Sequence, residues 1–160
     1  MTVSIPYADL GISIKIQTRL ESKPPHQVRL AFASGRMCEN DAERLGLCVL
    51  LSGDEDDLVA NTARRFLERW SAERIKDAIN RKSHPKILEF VVEFLPQDDL
   101  LDEHIFTCIT LNSRTAKLIA ERANERLCEE ISKNKQQLLL NPEIITVLQS
   151  NTNCSESTFF

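Results

Sequence analysis

The apolar positions of this chain recur in short blocks at helical spacing, and a polar break closes each block. Residues 74–120 show the pattern twice. Ile75, Ala78 and Ile79 share one helical face, and Arg81-Lys82-Ser83-His84-Pro85 interrupts them. Ile87, Leu88, Val91 and Val92 then resume the pattern. About thirty residues further on, Ile105, Phe106 and Ile109 precede the break Asn112-Ser113-Arg114-Thr115, and Leu118 and Ile119 open another block. Such spacing predicts amphipathic helices. Repetition of a helix–break–helix unit predicts an α-solenoid, in which no pair of helices can bury its apolar side without its neighbours.

Residues 1–23 depart from this pattern. Ile12, Ile14 and Ile16 alternate with Ser13, Lys15 and Gln17, a period of two. That predicts a short strand or an extended N-terminal arm. No second alternating run offers a partner strand, so the arm lies along the first helices or pairs with another chain; a loosely held terminus is the alternative. The chain therefore divides into an arm, 1–23, and a single helical-repeat domain, 24–160.

Pro24-Pro25 suit the start of a helix over 26–34, and Gly35 suits the residue just past its end. Asn40 or Asp41 caps a helix over 42–51 that Gly53 closes. With Leu45, Leu47, Cys48, Val49, Leu50 and Leu51 it is apolar nearly all round and needs neighbours on several sides. The acids Asp54-Glu55-Asp56-Asp57 lack the spacing of a calcium loop. They fit the first turn of the next helix, where they complement its dipole. That helix spans 56–70, with Leu58, Val59, Thr62, Ala63, Phe66, Leu67 and Trp70 on one face and Trp70 closing a core.

Ser71 caps the following unit, with helices over 74–81 and 85–95 ended by Pro96. Asp98 or Asp99 starts a helix through 111, and Ser113 or Thr115 caps one through 123. Leu127, Cys128 and Ile131 mark a shorter helix that Asn134 breaks. After Leu138-Leu139-Leu140, Asn141-Pro142 open a last helix with Ile144, Ile145, Val147 and Leu148. Ile79, Ile109, Ile131 and Leu148 each precede a break rich in Asn, Lys or Ser. Asn there can end a helix in the left-handed conformation. Phe159 and Phe160 either fold over the last repeat or belong to a partner interface.

Composition narrows the picture. Hydrophobic residues make up 42% and charged residues 28%, as in a globular chain rather than a disordered one. Four glycines and six prolines are too few for a turn-rich β-sandwich. The net charge of -4 disfavours long-range attraction to nucleic acid or anionic lipid. The five cysteines, Cys38, Cys48, Cys108, Cys128 and Cys154, form no C-x-x-C pair and read as small hydrophobes of a reducing cytosol. His26, His84 and His104 lack metal-ligand spacing. The N-terminus has no signal-like basic start and apolar run, and no segment is long enough to span a bilayer, so the expected location is cytoplasmic.

The residues of 75–91, 105–120, 131–134 and 141–151 resemble the HEAT-like and leucine-rich-variant α-helical repeat proteins. Residues 57–67, with Asp57, Val59, Ala63 and Leu67 at helical spacing, look like the second helix of a HEAT unit. The run Gln136-Gln137-Leu138-Leu139-Leu140-Asn141-Pro142-Glu143-Ile144-Ile145 is similar to the tail of bacterial HEAT-like proteins. The resemblance covers 28–152. It implies an all-α, right-handed α-solenoid of degenerate helix pairs, an ARM-type superhelix whose curved surface binds protein. The iron–sulfur cluster of some leucine-rich-variant proteins needs clustered cysteines, which this chain lacks.

No P-loop, G-x-G-x-x-G, G-x-S-x-G or H-E-x-x-H occurs, and no catalytic, cofactor-binding or metal-binding residue is singled out. The paired acids Asp98-Asp99 and Glu129-Glu130 read as solvated. His84 reads as a cap or a solvent contact, and His104 as a polar-face residue. The second helices carry Arg64, Arg65 and Glu68; Lys86, Glu89 and Glu93; Lys117, Glu121 and Arg122; and Glu143, Thr146 and Gln149. Signs are mixed in every row, unlike a phosphate-tracking stripe. The expected function is a non-enzymatic scaffold or adaptor for a protein or peptide. The alternative is a HEAT-like nucleic-acid-binding or DNA-repair protein. A homodimer through the N-terminal arm or the C-terminal end is a further expectation.

Overall fold

Helices in this chain begin where a short polar side chain can accept from their first free amides. The computed structural model describes residues 6–155. Among them are eleven α-helices, one short 3-10 helix (Tyr7–Leu10) and no strand. The α-helices are α1 (Ile14–Glu21), α2 (His26–Ala33), α3 (Asp41–Leu51), α4 (Asp57–Glu68), α5 (Ala72–Ala78), α6 (Pro85–Phe94), α7 (Asp99–Phe106), α8 (Ser113–Arg122), α9 (Glu125–Lys133), α10 (Lys135–Leu140) and α11 (Glu143–Ser150). Asn40, Asp56, Ser71, His84, Asp98, Asn112, Asn124 and Asn134 each cap the helix that follows. No helix among the described residues is long and apolar enough to cross a membrane. The chain divides into two compact units, Met1–Ile79 and Asn80–Phe160.

In the first unit α2 packs on α4 and α3 on α5, while α3 also touches α2 and α4. The core holds Phe32, Ala33, Leu45, Leu47, Cys48, Val59, Ala63 and Leu67, all fully buried. The neighbours expected around residues 42–51 are present: α2, α4, α5 and the 3-10 helix. Two glycines permit this packing. Gly35 turns the chain after α2 at φ 73°, and a Cβ there would lie 2.2 Å from the Phe66 ring. Gly46 lets the Leu10 carbonyl approach α3; a Cβ would lie 1.9 Å from that oxygen.

The N-terminal segment corrects the strand reading. Residues 14–21 are helical, and the segment 7–16 lies on α3. Ile12 and Ile16 are buried while Ile14 is 80% exposed. The same isoleucines satisfy both periods, because residues four apart share a face in a helix and in a strand. With no second strand to supply hydrogen bonds, the helix satisfies its own backbone. Glu43, 2% exposed, ties the segment down. Its carboxylate accepts from Ser13 N at 2.9 Å and Glu39 N at 2.8 Å. Burial pushes the Glu43 carboxyl up, and these hydrogen bonds outweigh it and hold it below its ordinary value.

The acids at 54–57 act as caps and ion pairs. Asp56 accepts from Leu58 N at 2.9 Å and pairs with His26 at 2.5 Å, and Asp54 pairs with Arg29 at 2.6 Å. The helix ends at Glu68, and Leu58, expected on its buried face, is exposed. Leu58 sits in the first turn, beyond the reach of α2 and α3. Trp70 is buried, edge-on to Phe66 at 5.8 Å. The Arg74 guanidinium lies 4.0 Å over the indole and bonds both Asp41 oxygens at 2.7 and 2.9 Å.

In the second unit α6 packs on α8, α8 on α11, and α7 on α9. α6/α8 and α7/α9 are two apart in sequence, as α2/α4 and α3/α5 are in the first unit, whereas α8 and α11 are three apart with α9 and α10 between them. Residues about thirty apart in sequence are hydrogen-bonded to one another in this unit. Ile109 N donates to Arg81 O at 3.0 Å and Thr110 Oγ1 to Ser83 O at 2.5 Å. Gln137 Nε2 donates to Cys108 O at 2.7 Å, and Asn151 Nδ2 donates to Ala120 O at 2.8 Å.

Several helix ends differ from expectation. α7 stops at Phe106, because residues 108–111 leave the helix to make these cross-repeat bonds. α5 stops at Ala78. The cap of α8 is Asn112, whose Oδ1 accepts from Thr115 N at 2.8 Å, rather than Ser113 or Thr115. No Asn among the described residues has positive φ; only Lys23 and Met37 do besides glycines. The asparagines of the breaks cap the next helix or reach the previous repeat. Phe159 and Phe160 lie outside the described residues.

Candidate interaction surface

The row α6–α8–α11 presents the polar positions expected of a binding face, and its charges are joined. Pro85 stands at the first position of α6 after the His84 cap, and the exposed Lys86 Nζ lies 2.9 Å from Oε2 of Glu89, whose side chain is only 14% exposed. Arg114 enters from the first turn of α8. Its guanidinium reaches Glu89 at 3.3 Å and Glu93 at 2.7 Å, while the side chain remains 70% exposed. Lys117, one turn along α8, lies 3.8 Å from Glu143 of α11. Ser113 Oγ donates to that same carboxylate, and this bond, with the nearby lysine, holds the Glu143 carboxyl below its usual range.

Exposed pairs of this kind contribute about 0–1 kcal/mol each. Their larger effect is on the surface itself. Every cation of the row is matched by a carboxylate, and the face reads as alternating sign across three helices. Glu121 and Thr146 line a shallow groove of about 260 Å³ between α8 and α11, with Val147, Ser150 and Asn151. Arg122, expected on this face, points elsewhere. Its guanidinium bonds both oxygens of Asp102, which is 1% exposed, and donates to Val92 O at 2.8 Å. It is the last residue of α8, where a cation complements the dipole and can reach back into the core. Arg64, Arg65 and Glu68 of α4 are exposed in the first unit.

A second concavity, about 500 Å³, opens in the first unit. Leu20 and Leu50 contribute apolar walls, and Tyr7, Lys23, Arg29 and Asp54 line the rest. Arg29 and Asp54 neutralise each other there at 2.6 Å.

Asp98, Asp99, Glu130 and His84 have partners within the fold. Asp98 caps α7, accepting from Leu101 N at 2.9 Å, and Asp99 accepts from Asn124 Nδ2. Glu130 pairs with Lys133 at 2.9 Å. His84 Nδ1 accepts from Lys86 N at 3.1 Å, which makes it a cap. Among the described residues no group of three or more His, Cys, Asp or Glu side chains could hold a metal ion. Cys38, Cys48, Cys108 and Cys128 are buried free thiols. Burial pushes Cys48 and Cys128 up to about 12 and Cys38 and Cys108 to about 11, so few thiolates form near neutrality.

Sequence reasoning did not foresee the buried amides. Gln137, 2% exposed, bonds Cys108 O and accepts from Asn141 Nδ2 at 3.1 Å. Asn134 Nδ2 reaches Phe106 O at 3.5 Å. Their recurrence in successive breaks was the available signal. No family model, no curated protein and no solved structure matches this chain.

Proposed function

We propose that this chain is a helical-repeat protein of HEAT-like, α-solenoid build that serves as a non-enzymatic scaffold or adaptor for a protein or peptide. The observation that carries the reading is the packing of helices two apart, α2 on α4, α3 on α5, α6 on α8 and α7 on α9, with hydrogen bonds linking residues 27 to 31 positions apart. Repeats stacked this way leave one face of each row to solvent, and binding to such rows is the ordinary use of the architecture. The α6–α8–α11 face supplies exposed charge of both signs on rigid helices, which suits a mixed-charge partner surface.

The test is affinity capture from the source cell with two baits, the wild-type chain and a Glu89→Lys/Glu93→Lys variant. A partner held at this face is retained by the first and lost by the second. Equal recovery on both baits moves the binding surface elsewhere.

For nucleic acid, the cations of this row already face carboxylates, which leaves no continuous positive track. Titration with duplex and single-stranded DNA at low salt decides between the readings. Binding that falls steeply with salt would replace the scaffold proposal by the nucleic-acid one. Self-association is proposed through the C-terminal end of the second unit, where Leu139, Leu140 and Ile145 are exposed. Light scattering of the chain against Leu139→Lys tests it; a monomer in both removes it.

A further inference from the structure

The turn after α2 holds Met37 in an uncommon backbone conformation. Gly35 N donates to Phe32 O at 2.9 Å and Arg36 N to Ala31 O at 3.1 Å, which closes the helix. Met37 then takes a φ of 71°, in the left-handed region that L side chains rarely enter. Arg44 of α3 fixes the residues on either side of it. Its Nε donates to Gly35 O at 3.1 Å and its Nη2 to Cys38 O at 3.0 Å. Cys38 is buried, whereas the Met37 side chain stays outside the core, 52% exposed, with its Sδ 3.8 Å from Arg19 Nη1.

The helix that carries Arg19 is held by few side chains. Ile16 is the one buried residue of α1. Gln17 bonds Glu21 and Thr18 bonds the Ile14 carbonyl, both within the helix. Among the described residues, the bond from Arg19 to Met37 is the one hydrogen bond from a side chain of α1 to another element, and Arg19 has no ion pair. A thioether sulfur is a weak acceptor, so most of what the guanidinium can donate goes unused.

We propose that Met37 is an oxidation site and that Arg19 receives the product. The oxidant is hydrogen peroxide. A lone pair on Sδ attacks one peroxide oxygen, the O–O bond breaks, and hydroxide leaves. That hydroxide takes the proton from the oxygen now on sulfur, which gives methionine sulfoxide and water. The sulfur loses two electrons and the peroxide gains them. A sulfoxide oxygen is a much stronger acceptor than a thioether and its partner here is a cation, so a charge-assisted hydrogen bond replaces a weak contact. The 3.8 Å between Sδ and Nη1 leaves room for an oxygen on sulfur to accept from the guanidinium along a bent approach. Oxidation thus fastens α1 to the braced turn. That is the reverse of its effect on a core methionine, where the added polar oxygen disrupts packing.

The experiment treats the folded full-length chain with hydrogen peroxide and maps the modified residues by mass spectrometry. Hydrogen exchange at residues 14–21 is compared before and after. The expected result is a single added oxygen on Met37 and exchange in α1 slowed about tenfold, the effect of a hydrogen bond to a charged group. Arg19→Leu, at an exposed helix position, is expected to oxidise at Met37 without that slowing. Met37→Leu is expected to show the same α1 exchange with and without peroxide, which separates Met37 from any other oxidised residue. An unmodified Met37 in the folded chain overturns the proposal, as does α1 exchange that is unchanged or faster after oxidation. Equal slowing in Arg19→Leu or in Met37→Leu overturns it too.

Discussion

Replacing Gly46 by alanine puts a methyl group 1.9 Å from the Leu10 carbonyl oxygen, which belongs to backbone and cannot swing aside. The N-terminal segment must lift or α3 must shift, and overpacking of this kind costs about 1–3 kcal/mol. Urea denaturation of Gly46→Ala is expected to show that loss; a wild-type midpoint would mean that residues 7–10 are not held on α3. Asp41 makes a different prediction. Hydrogen bonds from Arg74 and Arg44, against the opposing effect of burial, lower its carboxyl from 3.8 to about 2. A depressed carboxyl stabilises the fold above its unfolded value and loses that contribution as pH falls through the folded one. The wild-type advantage over Asp41→Asn should therefore be full above pH 3.8 and vanish towards pH 2. A constant difference across that window in parallel acid titrations would assign the Arg74 contact no role in stability. Of these residues, Asp41 was legible as a candidate cap from its place before an apolar block. Its partner Arg74 lies 33 positions away and was not.

Elements here are short, six to twelve residues, and isolated helices of that length are marginal in water. Their stability comes from row packing and from the bonds that cross the breaks. Gln137→Leu would leave the Cys108 carbonyl and the Asn141 amide without their partner in a buried place. That loss costs about 1–3 kcal/mol. Thermal or urea unfolding of the variant tests it; an unchanged or higher midpoint would make the amide dispensable. Asn151→Ala should act more locally. It removes bonds to Ala120, Glu121 and Ala123, so faster hydrogen exchange is expected at residues 151–154 and not in α6. Uniform exchange in both variants would argue against a local tether. Apart from α1, read as a strand or arm, and α10, for which no helix was expected, helix positions were legible in the apolar spacing, and most starts in the Ser, Asp and Asn residues before them. Helix ends were less so, because α7 and α5 stop where the backbone has tertiary partners to meet.

At the scale of a whole unit, the second unit carries the carboxylate Asp102, 1% exposed, into its core paired with Arg122. Arg122→Met leaves Asp102 buried without its partner, and breaking such a pair costs about 3–5 kcal/mol. Burial pushes the Asp102 carboxyl above its ordinary value even against Arg122. The double variant Asp102→Leu/Arg122→Met should recover most of the loss, since two apolar groups leave no orphaned charge. Equilibrium unfolding of both variants measures this; a double variant as unstable as the single one would point to Val92 O, also bonded by Arg122, as the dominant contact. Glu89 and Glu93 are only 14% and 20% exposed, so the Glu89→Lys/Glu93→Lys bait is compared with wild type by equilibrium unfolding, and its capture result is read once the variant is shown to be folded.

Residues 74–120 determined by themselves that the chain is helical there, because local apolar spacing and capping residues suffice to specify amphipathic helices. Charge and composition likewise set the mixed surface. Only tertiary structure decided that residues 14–21 are a helix rather than a strand, that Arg122 turns inward to Asp102, and that Gln137 and Asn151 bind the backbone of Cys108 and Ala120. Each of these depends on a partner some twenty to thirty positions away, and a periodic pattern reveals which side of a helix is apolar without revealing what lies across from it.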